Sequence, residues 1–225
     1  MLEGPHLVEA ALSSGRNLRA LVVAERALED PALARLAERA RVPVTMVADR
    51  LLRAIAHAET PQGILAEIAL PAETPDLRTV RSCVFLDAVQ DAGNVGAILR
   101  SAAAFGIEAA VLGPGCADPW APKVLRAAMG AHFALALCTN AALGPALEAF
   151  GARIVCALPR GGVPLRRADL AGRLGWLFGA EGRGVDPALA ARAHLRVTIP
   201  LHEAAESLNV AAAAAICFYE AASRQ

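Results

Sequence analysis

The sequence predicts an α/β fold in two units, the second of which is built on a mostly parallel sheet. Three observations support this prediction. Helical and extended patterns alternate along the chain, a stretch with two prolines interrupts them after residue 70, and 56% of the residues are apolar. Alternation of helices and strands is typical of α/β folds, and a chain of 225 residues is long enough to bury a substantial core.

The first unit, residues 1–70, is predicted to contain three helices and three strands. The helices are expected at residues 7–12, 31–41 and 49–57, and the strands at 18–23, 42–47 and 63–70. Leu33, Leu36 and Ala40 recur at helical spacing, which indicates a helix with one buried face. Asp49 is a candidate N-cap for the third helix.

Residues 71–77 are predicted to be a linker. Pro71 and Pro75 lie there among polar residues, a composition that interrupts regular structure. The second unit, residues 78–225, alternates again. Its strands are expected at residues 82–86, 109–112, 153–157, 175–178 and 195–199, and its helices at 93–105, 121–129, 141–150, 187–192 and 207–223.

The last of these helices is apolar on almost every side. Glu206 or Ser207 is its expected N-cap, and Val210, Ile216 and Phe218 lie on different faces. A helix of this kind is buried on more than one side. In a unit of this size, the pattern favours a dimer interface along the helix.

Composition excludes several classes of protein. Lys and Arg number 22 and Asp and Glu number 22, so the net charge is zero and any affinity for a nucleic acid has to come from local arginine clusters. Lys123 is the only lysine. The five cysteines follow no metal-binding or redox spacing, which predicts reduced thiols in the cytoplasm and no metal site. The longest apolar run, residues 208–219, is too short to span a membrane.

Three separated segments combine glycine and polar positions that a plain apolar core does not require. In the first, Gly93 and Asn94 join a strand to a helix and permit backbone angles that other residues resist. The N terminus of a helix offers free N–H groups to a phosphate or a developing oxyanion. Arg100 lies two helical turns beyond Gly93 on an otherwise apolar helix, where it needs a partner or access to solvent. A salt bridge to Glu181 is the structural alternative to a catalytic role for Arg100.

The second segment, residues 178–184, follows an apolar strand in the order G-x-x-G-x-G, which is not the dinucleotide-binding order G-x-G-x-x-G. Its glycines suggest that the backbone passes close to a ligand. Taken alone, the segment is better explained as a simple glycine turn in which Glu181 caps the next element. The third segment joins Ile199 and Pro200 to residues 206–211 at the start of the last helix.

Together these segments resemble the three motifs of the SpoU/TrmH family of RNA ribose 2′-O-methyltransferases, within the SPOUT superfamily. Residues 87–100 resemble the first motif, and residues 117–119 and 123–131 resemble the stretch between motifs. In the first unit the likeness is looser and rests on Glu3-Gly4-Pro5 and Thr60-Pro61-Gln62-Gly63. The resemblance implies a deep C-terminal trefoil knot preceded by a small L30-like RNA-binding domain. Relatives usually have more chain before this Glu-Gly, so the chain is expected to begin inside the first strand.

The resemblance also assigns roles to individual residues. It implies a catalytic centre formed by Asn94, Arg100, Glu181, Ser207 and Asn209. It implies contacts to S-adenosylmethionine from the backbone of Gly179, Ile199 and Leu208. No metal is expected, because the sulfonium already carries a good, neutral leaving group. A guanidinium is protonated at any working pH, so Arg100 is expected to stabilise the forming alkoxide or to grip a phosphate rather than to act as the base.

The implied reaction is methylation of a ribose 2′-hydroxyl by a homodimer that associates through its knotted domain. Ribosomal RNA is favoured over transfer RNA because a separate N-terminal substrate domain is present. The arginines expected to face RNA are Arg16, Arg19, Arg50, Arg53, Arg126, Arg160, Arg166 and Arg167. A non-catalytic RNA-binding or assembly factor that kept the fold is the alternative, and the intact motifs argue against it. Base methylation is disfavoured by the order N-x-G-x-x-x-R.

Overall fold

The computed structural model describes residues 1–71, 74–202 and 206–224. The chain divides into two compact units, Met1–Glu73 and Thr74–Gln225. Among the described residues, no helix combines the length and the apolar character needed to cross a membrane.

The first unit is a four-stranded sheet with three α-helices. Its strands are β1 (Leu2–Glu3), β2 (Leu18–Ala24), β3 (Val44–Val47) and β4 (Ile64–Ile68), in the order β1-β4-β2-β3. Its helices are α1 (Pro5–Ser13), α2 (Pro31–Ala40) and α3 (Asp49–Ile55), with a 3₁₀ turn at Glu25–Glu29. β2 and β3 are parallel, whereas β4 runs antiparallel to both β1 and β2. This unit therefore mixes the two pairings.

The second unit is built on seven strands. In chain order they are β5 (Ser82–Asp87), β6 (Ala109–Leu112), β7 (Ala136–Cys138), β8 (Arg153–Ala157), β9 (Val163–Pro164), β10 (Leu174–Gly179) and β11 (Leu195–Thr198). They lie in the order β7-β6-β5-β10-β8-β11-β9, and every neighbouring pair is parallel. The sequence prediction of an α/β fold with a mostly parallel sheet is therefore confirmed. The trefoil knot stays a prediction.

Helices connect the strands of this sheet. They are α4 (Ala92–Ala104), α5 (Pro122–Ala128), α6 (Leu143–Phe150), α7 (Pro187–Ala190) and α8 (Val210–Ala222), with 3₁₀ turns at Ala131–Phe133 and Leu165–Arg167. Each helix that the sequence predicts in this unit is present. The predicted start of the last helix is wrong, because α8 begins at Val210 and its N-cap is Asn209, not Glu206 or Ser207.

Three short strands are not predicted by the sequence patterns. They are β1, β7 and β9, of two or three residues each. Each lies at the edge of its sheet, and β9 contains Pro164, which has no N–H for a ladder. Runs this short leave no readable period in the sequence.

Each face of the large sheet carries an apolar core. On one face, Trp176 and Phe178 of β10 pack against Phe218 of α8, whose ring meets that of Phe178 edge to face at 5.7 Å. On the other face, Phe85 and Phe150 meet edge to face with ring centroids 5.8 Å apart. Side chains alternate between these faces along each strand, so β10 is buried on both sides.

Helix α4 packs closely against α5 and α8. Gly96 permits the first contact, because a Cβ at that position would overlap the Ala127 side chain and lie 2.8 Å from the carbonyl oxygen of Val124. The close packing leaves little freedom for α4 to shift. It thereby determines where Asn94, in the first turn of α4, lies relative to the strand ends.

His132 is a deeply buried polar side chain beside Trp120. Its Nε2 lies 2.6 Å from the carbonyl oxygen of Pro119, and Nδ1 is buried with no hydrogen-bond partner among the described residues. Burial lowers the pKa of His132, and the hydrogen bond to Pro119 and the charge of Asp118 oppose that effect only in part. Because a carbonyl oxygen only accepts, Nε2 carries the hydrogen of this contact, and burial disfavours a second, charging proton on Nδ1.

We expect the free energy of unfolding to fall as the pH drops below 6.5, the ordinary pKa of histidine. Below that pH the unfolded chain takes up a proton at position 132 before the folded chain does, so stability present above it is progressively lost. Urea unfolding at several pH values measures the effect. His132→Gln should flatten the dependence, and His57→Gln, at an exposed histidine, should not. Equal slopes in wild type and His132→Gln would contradict the prediction.

Candidate active site

The carboxyl ends of the central parallel strands meet at one edge of the large sheet. β5 and β10 are in register along their whole length, so that Asp87 lies opposite Gly179 at their ends. β8 ends beside them at Ala157. Ligands of open parallel sheets bind outside this edge. The segments that leave these strands are therefore the expected walls of a ligand site.

A pocket of about 740 Å³ opens at this edge. Its walls come from the segments after β8, β10 and β11 and from the first turn of α8. The lining residues are Ala157, Leu158, Pro159, Arg160, Phe178, Gly179, Ala180, Glu181, Gly182, Gly184, Val185, Ile199, Leu201, Glu206, Ser207, Leu208, Asn209, Val210 and Ala213. The pocket is thus mostly apolar, with two carboxylates and one guanidinium on its wall.

A network of three side chains lies at this pocket. The Nδ2 of Asn94 donates to Oε1 of Glu181 at 2.8 Å, and the Nδ2 of Asn209 donates to the same oxygen at 2.8 Å. The Nδ2 of Asn209 also donates to Oδ1 of Asn94 at 2.9 Å. The three residues are far apart in the chain, so the network ties three separate segments together. It leaves Oε2 of Glu181 without a hydrogen bond to any residue that the structure describes.

Asn209 has its orientation set by helix α8. As the N-cap, its Oδ1 accepts hydrogen bonds from the backbone N–H groups of Ala211 at 2.9 Å and Ala212 at 3.2 Å. Since an amide oxygen accepts and an amide nitrogen donates, the NH₂ group of Asn209 has to point toward Glu181 and Asn94. The side chain of Asn209 therefore serves both as the N-cap of α8 and as a member of the polar network.

The loop that carries Glu181 is closed on itself. The N–H of Gly184 donates to the carbonyl oxygen of Ala180 at 2.8 Å, and these two residues form an antiparallel bridge. Gly182 and Gly184 have φ of 85° and 72°, in the region that favours glycine. A Cβ at Gly179 would overlap the backbone of Gly184 and Val185. The glycines of this segment therefore form a tight turn that holds Glu181 at its tip.

The base of this loop is attached to the end of β5. Asp87 is 8% exposed, and its Oδ2 accepts a hydrogen bond from the backbone N–H of Asp186 at 2.7 Å. Its Oδ1 lies 3.5 Å from the guanidinium of Arg183. Asp186, and not Glu181, caps the following helix α7, through the N–H of Ala188. Capping of the next element by Glu181 is thus wrong.

Seven of the eight residues assigned from the sequence come together here. Gly179, Glu181, Ile199, Ser207, Leu208 and Asn209 line the pocket, and Asn94 joins them through the network. Arg100 does not. It is exposed, and within the described part of the chain it has no hydrogen bond or ion pair, so the salt bridge to Glu181 is wrong.

The helix geometry explains the placement of Arg100. Six residues separate it from Asn94 on α4, which amounts to about 9 Å along the helix axis and about 120° around it. Arg100 therefore projects from a different side of α4 than the residue that contacts Glu181. Sequence reasoning overlooked Asp87 and its loop partners, for which the one available signal is a carboxylate that ends the apolar run of β5.

The cysteines do not form part of this site. Burial raises the pKa of Cys156 to about 11 and, together with the charge of Glu220, that of Cys217 to about 12. Such thiols stay protonated and are poor nucleophiles. In the described ranges, no cluster of three or more His, Cys, Asp or Glu side chains could hold a metal ion.

Known proteins resemble this chain along its whole length. The SpoU rRNA Methylase family profile matches residues 81–219, and the profile for RNA 2′-O ribose methyltransferase substrate binding matches residues 1–74. The chain is 35% identical over 221 residues to the 23S rRNA (guanosine(2553)-2′-O)-methyltransferase RlmP of Bacillus subtilis, with 97% of this chain and 86% of that protein covered.

Two solved structures with bound cofactor are also similar. One is the AdoMet-bound rRNA methyltransferase from Sinorhizobium meliloti, with 28% identity, a TM-score of 0.84 and coverage of 99% of this chain and 86% of that one. The other is the SpoU methyltransferase AviRb from Streptomyces viridochromogenes in complex with AdoMet, with 26% identity, a TM-score of 0.91 and coverage of 99% and 89%.

Proposed function

The chain belongs to the SpoU rRNA methylase family, and from this premise we propose that it methylates a ribose 2′-hydroxyl of ribosomal RNA with S-adenosylmethionine as methyl donor. The observation that carries the proposal is the Asn94–Glu181–Asn209 network at the pocket. It brings a carboxylate from one segment and amides from two others to the wall of a pocket of cofactor size.

The pocket fits S-adenosylmethionine in size and in chemistry. Its volume of about 740 Å³ is in the range of small-molecule sites. Phe178, Ile199 and Leu208 supply apolar surface, and the carboxylates of Glu181 and Glu206 suit a ligand that carries sulfonium and ammonium charges. When bound, the cofactor supplies a methyl group that is activated by the positive sulfur. The backbone at Gly179, Ile199 and Leu208 would hold it.

The residues of the chain have to orient the ribose and accept the proton of its 2′-hydroxyl. Asn94 and Asn209 hold Oε1 of Glu181, so Oε2 is presented in a defined direction. In the proposed mechanism this oxygen accepts the hydrogen bond of the 2′-hydroxyl and takes its proton as the new C–O bond forms. Ser207, on the pocket wall, contacts the same ribose. Most of the rate enhancement then comes from alignment.

Arg100 supplies positive charge in this scheme, and a second copy of the chain brings it to the pocket. Helix α8 exposes an apolar stripe at Ala212, Ile216 and Tyr219, with 40% of Ile216 and 59% of Tyr219 accessible. Tyr219 meets Phe105, which directly follows α4, with ring centroids 5.9 Å apart. A homodimer that buries this stripe would cover the flank of α4. Arg100 of the partner subunit would then stabilise the forming alkoxide or grip the neighbouring phosphate.

The remaining assignments concern RNA. The first unit, residues 1–70, is the proposed substrate-binding domain, as the profile matched there supports. Residues 71–77 are the proposed linker to the second unit, and 72 and 73 among them lie outside the described residues. The name of the B. subtilis relative supports ribosomal over transfer RNA. Arg160, on the pocket wall, is the arginine best placed to meet the phosphate beside the target ribose. The proposed site of action is the cytoplasm.

The proposal is tested by methyl transfer from labelled S-adenosylmethionine to unmodified total RNA, followed by digestion and mass analysis of the nucleosides. We expect a 2′-O-methylated nucleoside whose yield falls about 100-fold or more in Arg100→Ala, because a charged group at the reacting centre is lost. Arg100→Lys at near-full turnover would show that positive charge alone is required. Cofactor binding without transfer to naked RNA or to ribosomal particles would favour the non-catalytic factor.

Mixed dimers test the origin of Arg100 in the same assay. Arg100→Ala and Glu181→Ala are each expected to be inactive alone. After unfolding and refolding together, heterodimers contain one site with both wild-type residues, so activity should reappear. Continued inactivity of the refolded mixture would place Arg100 and Glu181 of one subunit in the same site.

A further inference from the structure

Asp87 is a carboxylate that the proposed mechanism does not use, although it lies at the edge of the active site. Among the described residues it and His132 are the buried polar or charged side chains. Burying a carboxylate is unfavourable unless hydrogen bonds or opposite charges compensate for the lost water. Both partners of Asp87, the N–H of Asp186 and the guanidinium of Arg183, belong to the loop that carries Glu181.

The backbone after Asp87 is held in an unusual conformation. Ala88 has a φ of 53°, in the left-handed region that few residues other than glycine adopt. Strain of this kind persists where the surroundings determine the backbone strongly, and it is concentrated at functional sites. Here it turns the chain sharply at the end of β5. Asp87 remains on the strand, while the segment beyond Ala88 departs toward α4.

The segment from Asp87 to α4 therefore holds the Glu181 loop at two points. Asp87 binds its base through the N–H of Asp186 at 2.7 Å, and Asn94 binds its tip through Oε1 of Glu181 at 2.8 Å. Between these points the loop is closed by the hydrogen bond from Gly184 to Ala180. Because its base and its tip are both held and a hydrogen bond closes it, the loop leaves Glu181 little conformational freedom.

We propose that Asp87 is a positioning residue, which keeps Glu181 in place at the pocket by fixing the base of the loop formed by residues 180–186. The expected effect of Asp87 on catalysis rests on the proposed function, whereas its expected effect on the conformation of the loop does not. The contact to Asp186 is the important one, because it is short and made to the backbone, whereas the contact to Arg183 is longer and Arg183 is exposed.

The test is Asp87→Asn, which keeps the shape of the side chain but exchanges one oxygen for an NH₂ group. Asparagine carries no charge, so it accepts the hydrogen bond of the Asp186 N–H more weakly, or loses that acceptor altogether if its NH₂ group faces the N–H. We expect faster hydrogen exchange at the amides of Gly184 and Asp186, and a dissociation constant for S-adenosylhomocysteine that rises about tenfold by calorimetry. In methyl transfer, kcat should fall and KM for the cofactor should rise, while KM for RNA stays unchanged.

Two controls accompany this variant. Arg183→Gln removes only the longer contact and should change cofactor affinity less than Asp87→Asn does. Asp169→Asn removes an exposed carboxylate from another ion pair of the same unit, with Arg153 at 2.7 Å, and should change neither exchange in the loop nor affinity. A destabilised Asp87→Asn protein whose folded fraction keeps wild-type exchange, affinity and kcat would overturn the proposal, since Asp87 would then be merely structural.

A second pair of variants keeps the proposal testable if Asp87→Asn does not fold. Asp186 has a φ of −52°, which proline can adopt, so Asp186→Pro removes the N–H donor, and its ring carbon occupies the place of the hydrogen bond to Asp87. Asp186→Ala removes the cap of α7 and retains that N–H. We expect Asp186→Pro to bind S-adenosylhomocysteine more weakly than Asp186→Ala, and equal affinities would overturn the proposal. Failure of wild-type methyl transfer would instead refute the proposed function, and exchange at Gly184 would still decide the role of Asp87.

Discussion

Replacement of Gly179 by alanine is expected to abolish measurable cofactor binding. The added Cβ would overlap the backbone of Gly184 and Val185, which cannot yield as a flexible side chain would. The closed loop has to move away from the end of β10, and Glu181 moves with it. We expect the dissociation constant for S-adenosylmethionine to rise by about 100-fold or more, and stability to fall by about 1–3 kcal/mol, the usual range for overpacking.

Calorimetric titration and thermal unfolding measure the two effects separately. Gly172→Ala is the matched control away from the pocket, since a Cβ there meets nothing within 4 Å although its φ of 83° is strained for alanine. It should lose about 1 kcal/mol of stability and keep most of its cofactor affinity. A Gly179→Ala protein that binds the cofactor as wild type does would show that this loop is not part of the cofactor site.

Replacement of Asn209 by aspartate should inactivate the enzyme while leaving helix α8 capped. The aspartate can still accept from the N–H groups of Ala211 and Ala212. It cannot donate to Asn94 or Glu181, and it places a second carboxylate where Asn209 now lies 2.8 Å from Oε1 of Glu181. We expect a loss of about 100-fold or more in kcat/KM at neutral pH, as is typical when an aligned polar group at a reacting centre is removed.

The same variant should regain activity relative to wild type as the pH falls. Two carboxylates this close raise the pKa of one of them, because both cannot carry charge at little cost. Below that raised pKa the shared proton restores a donor between positions 209 and 181. Asn209→Ala loses the cap, about 1 kcal/mol, as well as the network, and has no such proton. A ratio of Asn209→Asp to wild-type activity that does not change with pH would contradict this account.

The sequence predicted the regular elements well because their signals are local. The buried strands β5, β6, β8 and β10 read as short apolar runs, and the helices as longer periodic ones. The start of α8 was not predictable in the same way. Glu206, Ser207 and Asn209 are all acceptable caps by type, and the choice of Asn209 is tied to its contacts with Glu181 and Asn94, far away in the chain.

In the candidate site, too, the sequence reveals the local motifs but not the contacts between residues that are far apart in the chain. The three motifs could be found in the sequence, and the pocket collects most of their residues. A salt bridge to Glu181 is the structural alternative to a catalytic Arg100, but a separation of six residues turns Arg100 about 120° away from Asn94 on the helix. Asp87 can be noticed in the sequence as the carboxylate that ends the apolar run of β5, but its role cannot be derived there, since its partners are the backbone of residue 186 and a side chain at 183.

The position of Asn209 late in the chain has a consequence for synthesis. The pocket wall extends to Ala213, and the polar network is complete only when Asn209 is present. A nascent chain that has not yet reached α8 has the sheet edge and the Glu181 loop but lacks one wall. Ligand binding stabilises only the state that binds, so a cofactor bound in this pocket as proposed does not assist the folding of the earlier strands before Asn209 has been made. It acts after that point, by retaining helix α8 once that helix has docked.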